Sequence, residues 1–312
     1  MNKRLLIVGG SGFIGSNFCD LFSHKYDIKV VDIKPSRNAN YTCMNALDYS
    51  LLLNEVNMFS PHLILDLAAR TDVDNNVSAN EGFSINWKIA ENIVNVVRNS
   101  KVIVESLIFT STQYVIGPNA DSFDSLSYAP HTTYGESKVI MEKMIRDIND
   151  LNWNIIRPTN VWGPYHKRYS KELYKLLRSG LFFMPKEAKS IVKSYAFVDT
   201  VCMQIDDLLN SSNYSNILYL GDDPVRQSDW LDWQSQICNG KVKYAPLWLF
   251  KTIAFFGDFL GRIGLKFPVT TLRLENMLVE YVVPMDNTFK MLSGKKFDKN
   301  KAIEKTKTWL NG

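Results

Sequence analysis

A glycine motif near the N-terminus, made of Gly9, Gly12 and Gly15, constrains the fold more than any other feature of the chain. It follows the apolar run 5–8 directly and leads into the helical pattern 13–23. Glycines at this spacing allow a tight turn, let a pyrophosphate approach the backbone and let the helix pack close to the strand. The N–H groups and dipole of the helix N-terminus favour a bound phosphate. The motif predicts a dinucleotide site with contacts from Gly9, Gly12, Phe13, Ile14 and Gly15.

A carboxylate ends the second apolar run. Asp32 stands 17 residues after Gly15. At that place a carboxylate accepts hydrogen bonds from an adenosine ribose and repels a 2′-phosphate, which favours NAD over NADP. Lys34 and Arg37 follow closely and leave NADP as an alternative. A structural role for Asp32 as the cap of a turn is the competing interpretation.

Short apolar runs alternate with helical patterns through the first half of the chain. Runs that are apolar throughout and separated by helices indicate parallel strands buried on both faces. Right-handed crossovers then predict an α/β fold with a doubly wound parallel sheet of Rossmann type. The predicted strands are 5–8, 29–32, 63–65, 107–109 and 154–156, and the predicted helices are 13–23, 49–58, 81–97 and 134–149.

The second half is less regular and contains five of the seven tryptophans. This composition predicts a smaller substrate-binding lobe with an aromatic core. We expect residues 1–165 and about 196–222 to form the dinucleotide-binding domain. Residues 166–195 and 223–312 are then the substrate lobe.

Composition excludes several classes of protein. With 46% apolar and 22% charged residues in a chain of 312, the sequence is typical of a globular protein. The net charge of +4 comes from scattered residues, so no nucleic-acid arm is expected. The four cysteines and four histidines lack metal-ligand spacing, and no metal is expected.

No secretory signal or integral membrane segment is expected, because no apolar run reaches the length of a spanning helix. We therefore expect a cytoplasmic protein. The most apolar stretch, 244–265, contains Lys251, Asp258 and Arg262 and predicts an amphipathic helix pair. A core or subunit interface is one use of such a pair, and contact with a membrane surface is another.

Tyr134 and Lys138 form the central chemical motif. At positions i and i+4 of a helix they share one face, about 6 Å apart along the axis. A nearby cation favours the phenolate, so the pKa of Tyr134 is expected to fall below its usual value of about 10. Tyr134 would then serve as an acid/base near neutral pH. Taken alone, the spacing also fits an ordinary amphipathic helix.

A strand that ends in hydroxyl residues precedes this motif. Ser111 and Thr112 follow the apolar run 107–109. Ligands bind at the carboxyl ends of parallel strands, so a hydroxyl there can donate to a substrate oxygen beside Tyr134.

The glycine motif, the strand-end hydroxyls, Tyr-x-x-x-Lys and the later run Ile156–Pro164 occur in one order at suitable intervals. This order resembles the extended short-chain dehydrogenase/reductase family, in particular the NAD-dependent epimerase/dehydratase group. The resemblance extends over the whole chain and is densest from residue 3 to about 200. It identifies the family and leaves the substrate open.

The resemblance implies roles for individual residues. Tyr134 would be the general acid/base, and Lys138 would bind the nicotinamide ribose and tune Tyr134. Thr112 would hold the reacting oxygen, with Ser111 as its rival. The resemblance also implies that Leu67, Ala68 and Ala69 line the dinucleotide, and that Asn86, Asn160 and Lys193 lie at the sugar nucleotide.

Several positions depart from the family pattern. The family often has His in place of Asp66 and Tyr in place of Ile116, and usually has Arg in place of Lys193. A lysine neutralises phosphate without a bidentate fork, and a surface role for Lys193 is the alternative. Members that dehydrate their substrate have an acid pair after the hydroxyl, where this chain has Gln113 and Tyr114. This difference argues against dehydration.

These observations predict an NAD-dependent nucleotide-sugar 4-epimerase. The alternatives are a 4-keto-sugar-nucleotide reductase, a reductase of non-sugar carbonyls and a non-catalytic NAD-binding protein. The resemblance also implies a homodimer paired through helices that flank the sheet. Polysaccharide biosynthesis is a natural setting for such an enzyme.

Overall fold

The computed structural model describes residues 2–38, 40–72, 77–262, 269–292 and 297–312. The chain divides into two compact units, each assembled from three segments. The first contains Met1–Val161, Ala196–Asp222 and Val283–Lys296, and the second contains Trp162–Tyr195, Asp223–Val282 and Phe297–Gly312. The described residues 283–292 thus belong to the first unit, although they were predicted to lie in the substrate lobe.

Thirteen strands and twelve α-helices are assigned in the described residues. The strands are β1 (Lys3–Val8), β2 (Tyr26–Asp32), β3 (Tyr41–Cys43), β4 (Leu63–Asp66), β5 (Ser106–Thr110), β6 (Trp153–Pro158), β7 (Asn160–Trp162), β8 (Phe182–Pro185), β9 (Val192–Lys193), β10 (Tyr195–Phe197), β11 (Asn216–Leu220), β12 (Val225–Arg226) and β13 (Val242–Ala245). The helices are α1 (Phe13–Phe22), α2 (Tyr49–Phe59), α3 (Ala79–Gly82), α4 (Ile85–Asn99), α5 (Thr133–Arg146), α6 (Tyr174–Arg178), α7 (Val198–Leu209), α8 (Gln227–Cys238), α9 (Leu247–Arg262), α10 (Thr271–Leu278), α11 (Asp286–Met291) and α12 (Lys299–Asn311).

A seven-stranded parallel sheet forms the centre of the first unit. Its strand order is β11-β6-β5-β4-β1-β2-β3. The strands β1 and β4 are neighbours, and the chain winds outward from them in both directions. This arrangement confirms the predicted doubly wound α/β sheet.

The inner strands are apolar because helices cover both faces of the sheet. Leu5, Leu6, Ile7 and Val8 of β1 are all buried. On one face, side chains from α2, α4 and α5 pack with the strands in a single core cluster. Burial on both faces explains why these strands read as continuous apolar runs instead of alternating patterns.

The edge strand β11 is fastened by a segment from much later in the chain. The Thr288 hydroxyl on α11 donates to the carbonyl oxygen of Tyr219, and Thr288 is buried. This contact places α11 beside the sheet. It gives the physical reason that 283–292 belong to the first unit.

The helix predicted over 81–97 is two helices, α3 and α4. The carbonyl oxygen of Gly82 accepts a hydrogen bond from the Arg70 guanidinium at 2.7 Å. The backbone N–H of Asn86 instead donates to Phe83. The i to i+4 ladder is therefore interrupted between the two helices.

In the second unit, the predicted helix pair over 244–265 is wrong in its first part. Tyr244 and Ala245 belong to β13, which pairs in parallel with β8. Pro246 then precedes the single helix α9. Residues 263–268 lie outside the described part of the chain. Of the helices that are described, none has the length and apolar character needed to span a membrane.

Candidate active site

The site lies at the carboxyl ends of β1, β4 and β5. In a doubly wound sheet, ligands bind where the strand order reverses, which here is between β1 and β4. Gly9 follows β1, Asp66 ends β4 and Thr110 ends β5. The predicted glycine motif and strand-end hydroxyls are thus on the same edge of the sheet.

Gly9 occupies a place that only glycine fits. Its φ of +81° is in the left-handed region. A Cβ atom on Gly9 would lie 2.6 Å from the backbone nitrogen of Ala68. The N–H of Leu67 donates to the carbonyl oxygen of Val8, and this bond holds the segment after β4 against the glycine loop. The residues predicted to line the dinucleotide, Leu67, Ala68 and Ala69, therefore start in contact with this loop.

Asp32 ends β2 beside the same loop. Its carboxylate accepts from the backbone N–H of Ser11 at 3.0 Å and from that of Lys34 at 2.9 Å. These bonds hold the glycine loop and the turn after β2 together. They give Asp32 a structural role, and its contact with a ribose remains a prediction.

Tyr134 is held in the first turn of α5. The Thr132 hydroxyl accepts from the N–H of Gly135 and caps this helix at its N-terminus. The ring of Tyr134 is buried and lies edge-on to that of Tyr114, with centroids 6.5 Å apart. The hydroxyl of Tyr134 forms a side-chain hydrogen bond with Thr112. The structure thus joins the two predicted catalytic hydroxyls.

The pKa of Tyr134 differs from the sequence prediction. Burial raises it above the usual value of about 10, the charge of Tyr114 acts in the same direction, and the hydrogen bond from Thr112 opposes both. The expected fall caused by Lys138 is therefore wrong, because burial governs this pKa.

Lys138 is buried one turn further along α5. Its Nζ atom donates to the carbonyl oxygen of Thr110 at 2.7 Å. Burial lowers the pKa of Lys138 to about 8, while the charges of Asp66 and Glu142 oppose that fall. Its ammonium group therefore loses its proton much more readily than that of an exposed lysine.

Asp66 is the counter-charge of Lys138. Burial raises the pKa of Asp66 to about 6, against the attraction of Lys138 and a hydrogen bond from the N–H of Ala68. Its Oδ1 atom accepts that bond at 3.0 Å. Its Oδ2 atom is buried and has no hydrogen-bond partner in the described part of the chain. A buried acceptor without a donor fits a ligand that supplies one.

Ser111 and Thr112 face different partners. The Ser111 hydroxyl donates to Glu142 at 2.5 Å. Glu142 accepts two hydrogen bonds from Arg157, at 2.9 and 2.7 Å, and both side chains are fully buried. Ser111 is therefore hydrogen-bonded to the buried Glu142, whereas Thr112 is hydrogen-bonded to Tyr134.

Sequence reasoning missed the Glu142–Arg157 pair. The available signal was a glutamate four residues after Lys138 on the buried face of α5, together with an arginine inside the apolar strand β6. Charged residues are rarely buried completely unless they are paired. A glutamate and an arginine that both stand at core positions therefore predict a buried ion pair.

Asn86 is fully buried at the start of α4. Its amide donates to the Ser137 hydroxyl at 2.9 Å and to the Arg70 carbonyl at 3.1 Å, and its Oδ1 accepts from the N–H of Arg70. Ser137 is adjacent to Lys138 on α5. The structure thus places Asn86 behind the lysine helix, and contact with a sugar nucleotide remains a prediction.

The other two predicted substrate residues are in different units. Asn160 belongs to the first, and its Oδ1 accepts from the hydroxyl of Tyr114 at 3.2 Å. Lys193 belongs to the second, where its Nζ donates to the carbonyl of Asn276. Burial lowers the pKa of Lys193 to about 8. A diphosphate contact for Lys193 remains a prediction.

The residues around the point where the strand order reverses, between β1 and β4, fit a dinucleotide. A backbone cradle that a Cβ would fill at Gly9, an unpaired buried oxygen on Asp66 and a buried ammonium on Lys138 meet on one sheet edge. Where the structure is described, no three His, Cys, Asp or Glu side chains are placed to hold a metal ion.

Comparison with known proteins adds a family assignment. The profile of the NAD dependent epimerase/dehydratase family matches residues 5–181. An N-acetyl-alpha-D-glucosaminyl-diphospho-ditrans,octacis-undecaprenol 4-epimerase from Escherichia coli O157:H7 is 24% identical over 293 residues, covering 88% of this chain and 85% of the relative.

Two solved structures have the same fold. The UDP-glucose 4-epimerase of Thermotoga maritima, solved with UDP-glucose, has a TM-score of 0.76 at 18% identity and covers 99% of this chain and 98% of its own. The UDP-glucose 4-epimerase of Thermus thermophilus, solved with NAD, has a TM-score of 0.73 at 19% identity and covers 99% of both chains. The family match extends over more than half of the present chain.

Proposed function

Because the chain belongs to the NAD-dependent epimerase/dehydratase family, we propose that it is an NAD-dependent 4-epimerase of a sugar joined to a diphosphate. The hydrogen bond between Tyr134 and Thr112 beside the buried Lys138 is the observation that carries this proposal. These groups are our candidates for the acid/base, the second hydroxyl and the cation of the proposed reaction.

The glycine loop and Lys138 are the proposed cofactor-binding groups. The N–H groups after Gly9 and Gly12 would meet the pyrophosphate, and Asp32 would meet the adenosine ribose. Lys138 would hold the nicotinamide ribose. When bound, NAD⁺ supplies the acceptor, and later the donor, of the C4 hydride.

Tyr134 is the proposed proton carrier at the C4 oxygen. In the proposed reaction the phenolate of Tyr134 takes the hydroxyl proton as C4 is oxidised, and the resulting phenol returns that proton when C4 is reduced. Thr112 would hold the same oxygen in line with the phenol. The cation of Lys138 would favour the phenolate over the phenol during the reaction. Turning the keto sugar over between the two steps would invert C4.

Dehydration is not part of the proposal. Gln113 and Tyr114 follow Thr112, and neither side chain is a carboxylic acid. The Tyr114 hydroxyl donates to Asn160 in the structure. The position that would need an acid to eliminate water is therefore filled by a neutral hydrogen-bonding group.

Two carriers of the sugar fit the proposed site. A nucleoside diphosphate is the carrier in the solved UDP-glucose 4-epimerases. A polyprenol diphosphate is the carrier named for the E. coli relative. Both present a diphosphate next to the sugar. We propose the nucleotide form as the first substrate to test and the polyprenol form as the second.

The proposed experiment identifies the cofactor and the reaction together. Purified protein is denatured, the released nucleotide is identified by mass spectrometry, and the intact enzyme is incubated with sugar nucleotides and polyprenol-diphosphate sugars. We expect one NAD⁺ per chain and conversion at C4 without net oxidation of added NADH. Tyr134→Phe should keep the bound NAD⁺ and lose the conversion.

A protein that binds no NAD⁺ and consumes NADH with a keto sugar would be the alternative 4-keto-sugar reductase. The same preparation tests the proposed homodimer. Elution at the mass of one chain, 35.7 kDa, would exclude it.

A further inference from the structure

The helix α9 exposes a row of aromatic side chains in the second unit. Trp248, Phe255, Phe256 and Phe259 are 67%, 71%, 59% and 57% exposed. We name these four residues the aromatic face. We propose that this face binds the surface of an anionic phospholipid bilayer.

The aromatic face is separate from the face that α9 uses for folding. Phe250 and Ala254 are buried and form a core cluster with Leu274 of α10. At 100° per residue, Phe250 and Ala254 lie on the side of the helix opposite Trp248, Phe255 and Phe259. In the part of the chain that the structure describes, this core cluster forms without the aromatic face, so packing there gives no reason for its apolar character.

Helices that are apolar on two faces are unusual on a protein surface. A solvent-facing helix ordinarily has polar residues opposite its buried stripe. Four large aromatic residues on one side of 16 helical residues form an exposed patch of the kind that marks an interaction surface. Tryptophan and phenylalanine are the side chains that interfacial helices place at the boundary between headgroups and acyl chains.

Charge identifies the partner. The second unit has 19 Lys and Arg residues against 10 Asp and Glu, whereas the first has 17 against 22. Lys241, Lys243 and Lys251, on or just before α9, are exposed. The acid on the helix, Asp258, accepts a hydrogen bond from the N–H of Thr271. A positive unit with an aromatic face complements anionic headgroups over an acyl layer.

The same charges disfavour a second copy of this chain as the partner. Pairing two aromatic faces would bring two positively charged units together, and like charges across an interface weaken association. The part of the chain that the structure describes contains no helix able to span a bilayer. The contact is therefore interfacial, with α9 lying along the surface and Lys251 reaching the phosphates.

The experiment measures binding to vesicles. Sedimentation with vesicles of equal parts phosphatidylglycerol and phosphatidylcholine is compared for the full chain and for the triple variant Trp248→Ser, Phe255→Ser and Phe259→Ser. We expect the wild type to sediment with these vesicles, less so with phosphatidylcholine alone or in high salt. The triple variant should bind at least about tenfold more weakly, because it lacks three of the four large apolar side chains that would enter the interface.

A matched control removes exposed apolar side chains elsewhere. Met58 and Ile103 are 75% and 87% exposed in the first unit. The variant Met58→Ser with Ile103→Ser should keep wild-type binding. Both variants should retain the thermal midpoint of the wild type, because none of these side chains is in the core.

A second measurement tests whether Trp248 lies at the bilayer. Lipids with brominated acyl chains should quench part of the tryptophan emission of the wild type and less in Trp248→Phe, which keeps an aromatic ring. Wild type that stays in the supernatant, or a triple variant that binds unchanged, would refute the proposal. A wild-type dimer that the triple variant converts to monomer would assign the face to a second copy instead. None of these measurements requires enzymatic activity. Failure of this proposal can therefore be distinguished from failure of the proposed function.

Discussion

The Nζ atom of Lys138 lies 2.7 Å from the carbonyl oxygen of Thr110, and this bond joins the middle of α5 to the end of β5. It fixes the ammonium group on the sheet edge where the glycine loop also ends. The Sδ atom of Met141, at 3.9 Å, is a second and weak acceptor for an ammonium that has three donors. The third donor is the one that would meet a ribose in the proposed complex.

The activity should depend on pH through Lys138 and Asp66. The pKa of Lys138 is about 8, and at that pH Asp66, whose pKa is about 6, is ionised and favours the lysine cation. In the proposed reaction the cation supports the phenolate of Tyr134, so kcat should fall as the pH rises through about 8. In Asp66→Asn the supporting charge is gone, so this limb should move to lower pH in a kcat profile. An unchanged limb would show that another group controls it.

Thr112 and Ser111 should respond differently to removal of their hydroxyls. Thr112 bonds to Tyr134, so Thr112→Val should lower kcat by about 10²–10³. Ser111 bonds to Glu142, so Ser111→Ala should lower the free energy of unfolding by about 1–3 kcal/mol with little change in kcat. Steady-state kinetics and urea unfolding of both variants check this assignment. The reverse pattern would make Ser111 the substrate hydroxyl.

The buried pair of Glu142 and Arg157 should matter to stability as a unit. Glu142→Ala leaves a fully buried guanidinium without its carboxylate, and we expect a loss of about 3–5 kcal/mol in the free energy of unfolding. The double variant Glu142→Leu with Arg157→Met removes both charges and should be more stable than the single variant. Chemical denaturation of the two proteins gives the comparison. Equal losses would mean that the charge left behind is not the cause.

Two glycines should respond in opposite directions to alanine. Gly9 has a positive φ and its Cβ would meet the backbone of Ala68, so Gly9→Ala should lower the free energy of unfolding by about 1–3 kcal/mol and abolish NAD binding. Gly261 is in α9 with open space around its Cβ position, so Gly261→Ala should raise that free energy by about 0.5–1 kcal/mol. Thermal unfolding and nucleotide content measure both. Retained NAD in Gly9→Ala would contradict the proposed cradle.

The parts of the fold that repeat a local pattern could be predicted from the sequence. Strands such as β1 and β5 contain continuous apolar runs, and α5 begins at a capping threonine. The short strand β3 was missed because Tyr41–Cys43 is too brief for a pattern to show. The interruption between α3 and α4 depends on Arg70, which is 12 residues from the carbonyl it binds. Such a contact exists only after the chain has folded.

The candidate site, like the fold, could be predicted from the sequence only in part. The identities of Tyr134, Lys138 and Thr112 follow from short motifs at strand and helix ends. Their electrostatics do not, because the pKa of Tyr134 is governed by burial. The spacing of Tyr134 and Lys138 shows that they are near each other but gives no measure of how much solvent is excluded. The pairing of Glu142 with Arg157 likewise needs the sheet that brings β6 beside β5.

The hydrogen bond from Thr288 to Tyr219 has a consequence for biosynthesis. β11 is the last strand of the sheet on its side, and an unprotected strand edge is a template for aggregation. The segment that bonds to this strand is synthesised about 70 residues after the strand itself. The growing chain therefore has an open sheet edge until that segment has been made, and loss of the segment would leave a sheet that can pair with neighbouring molecules.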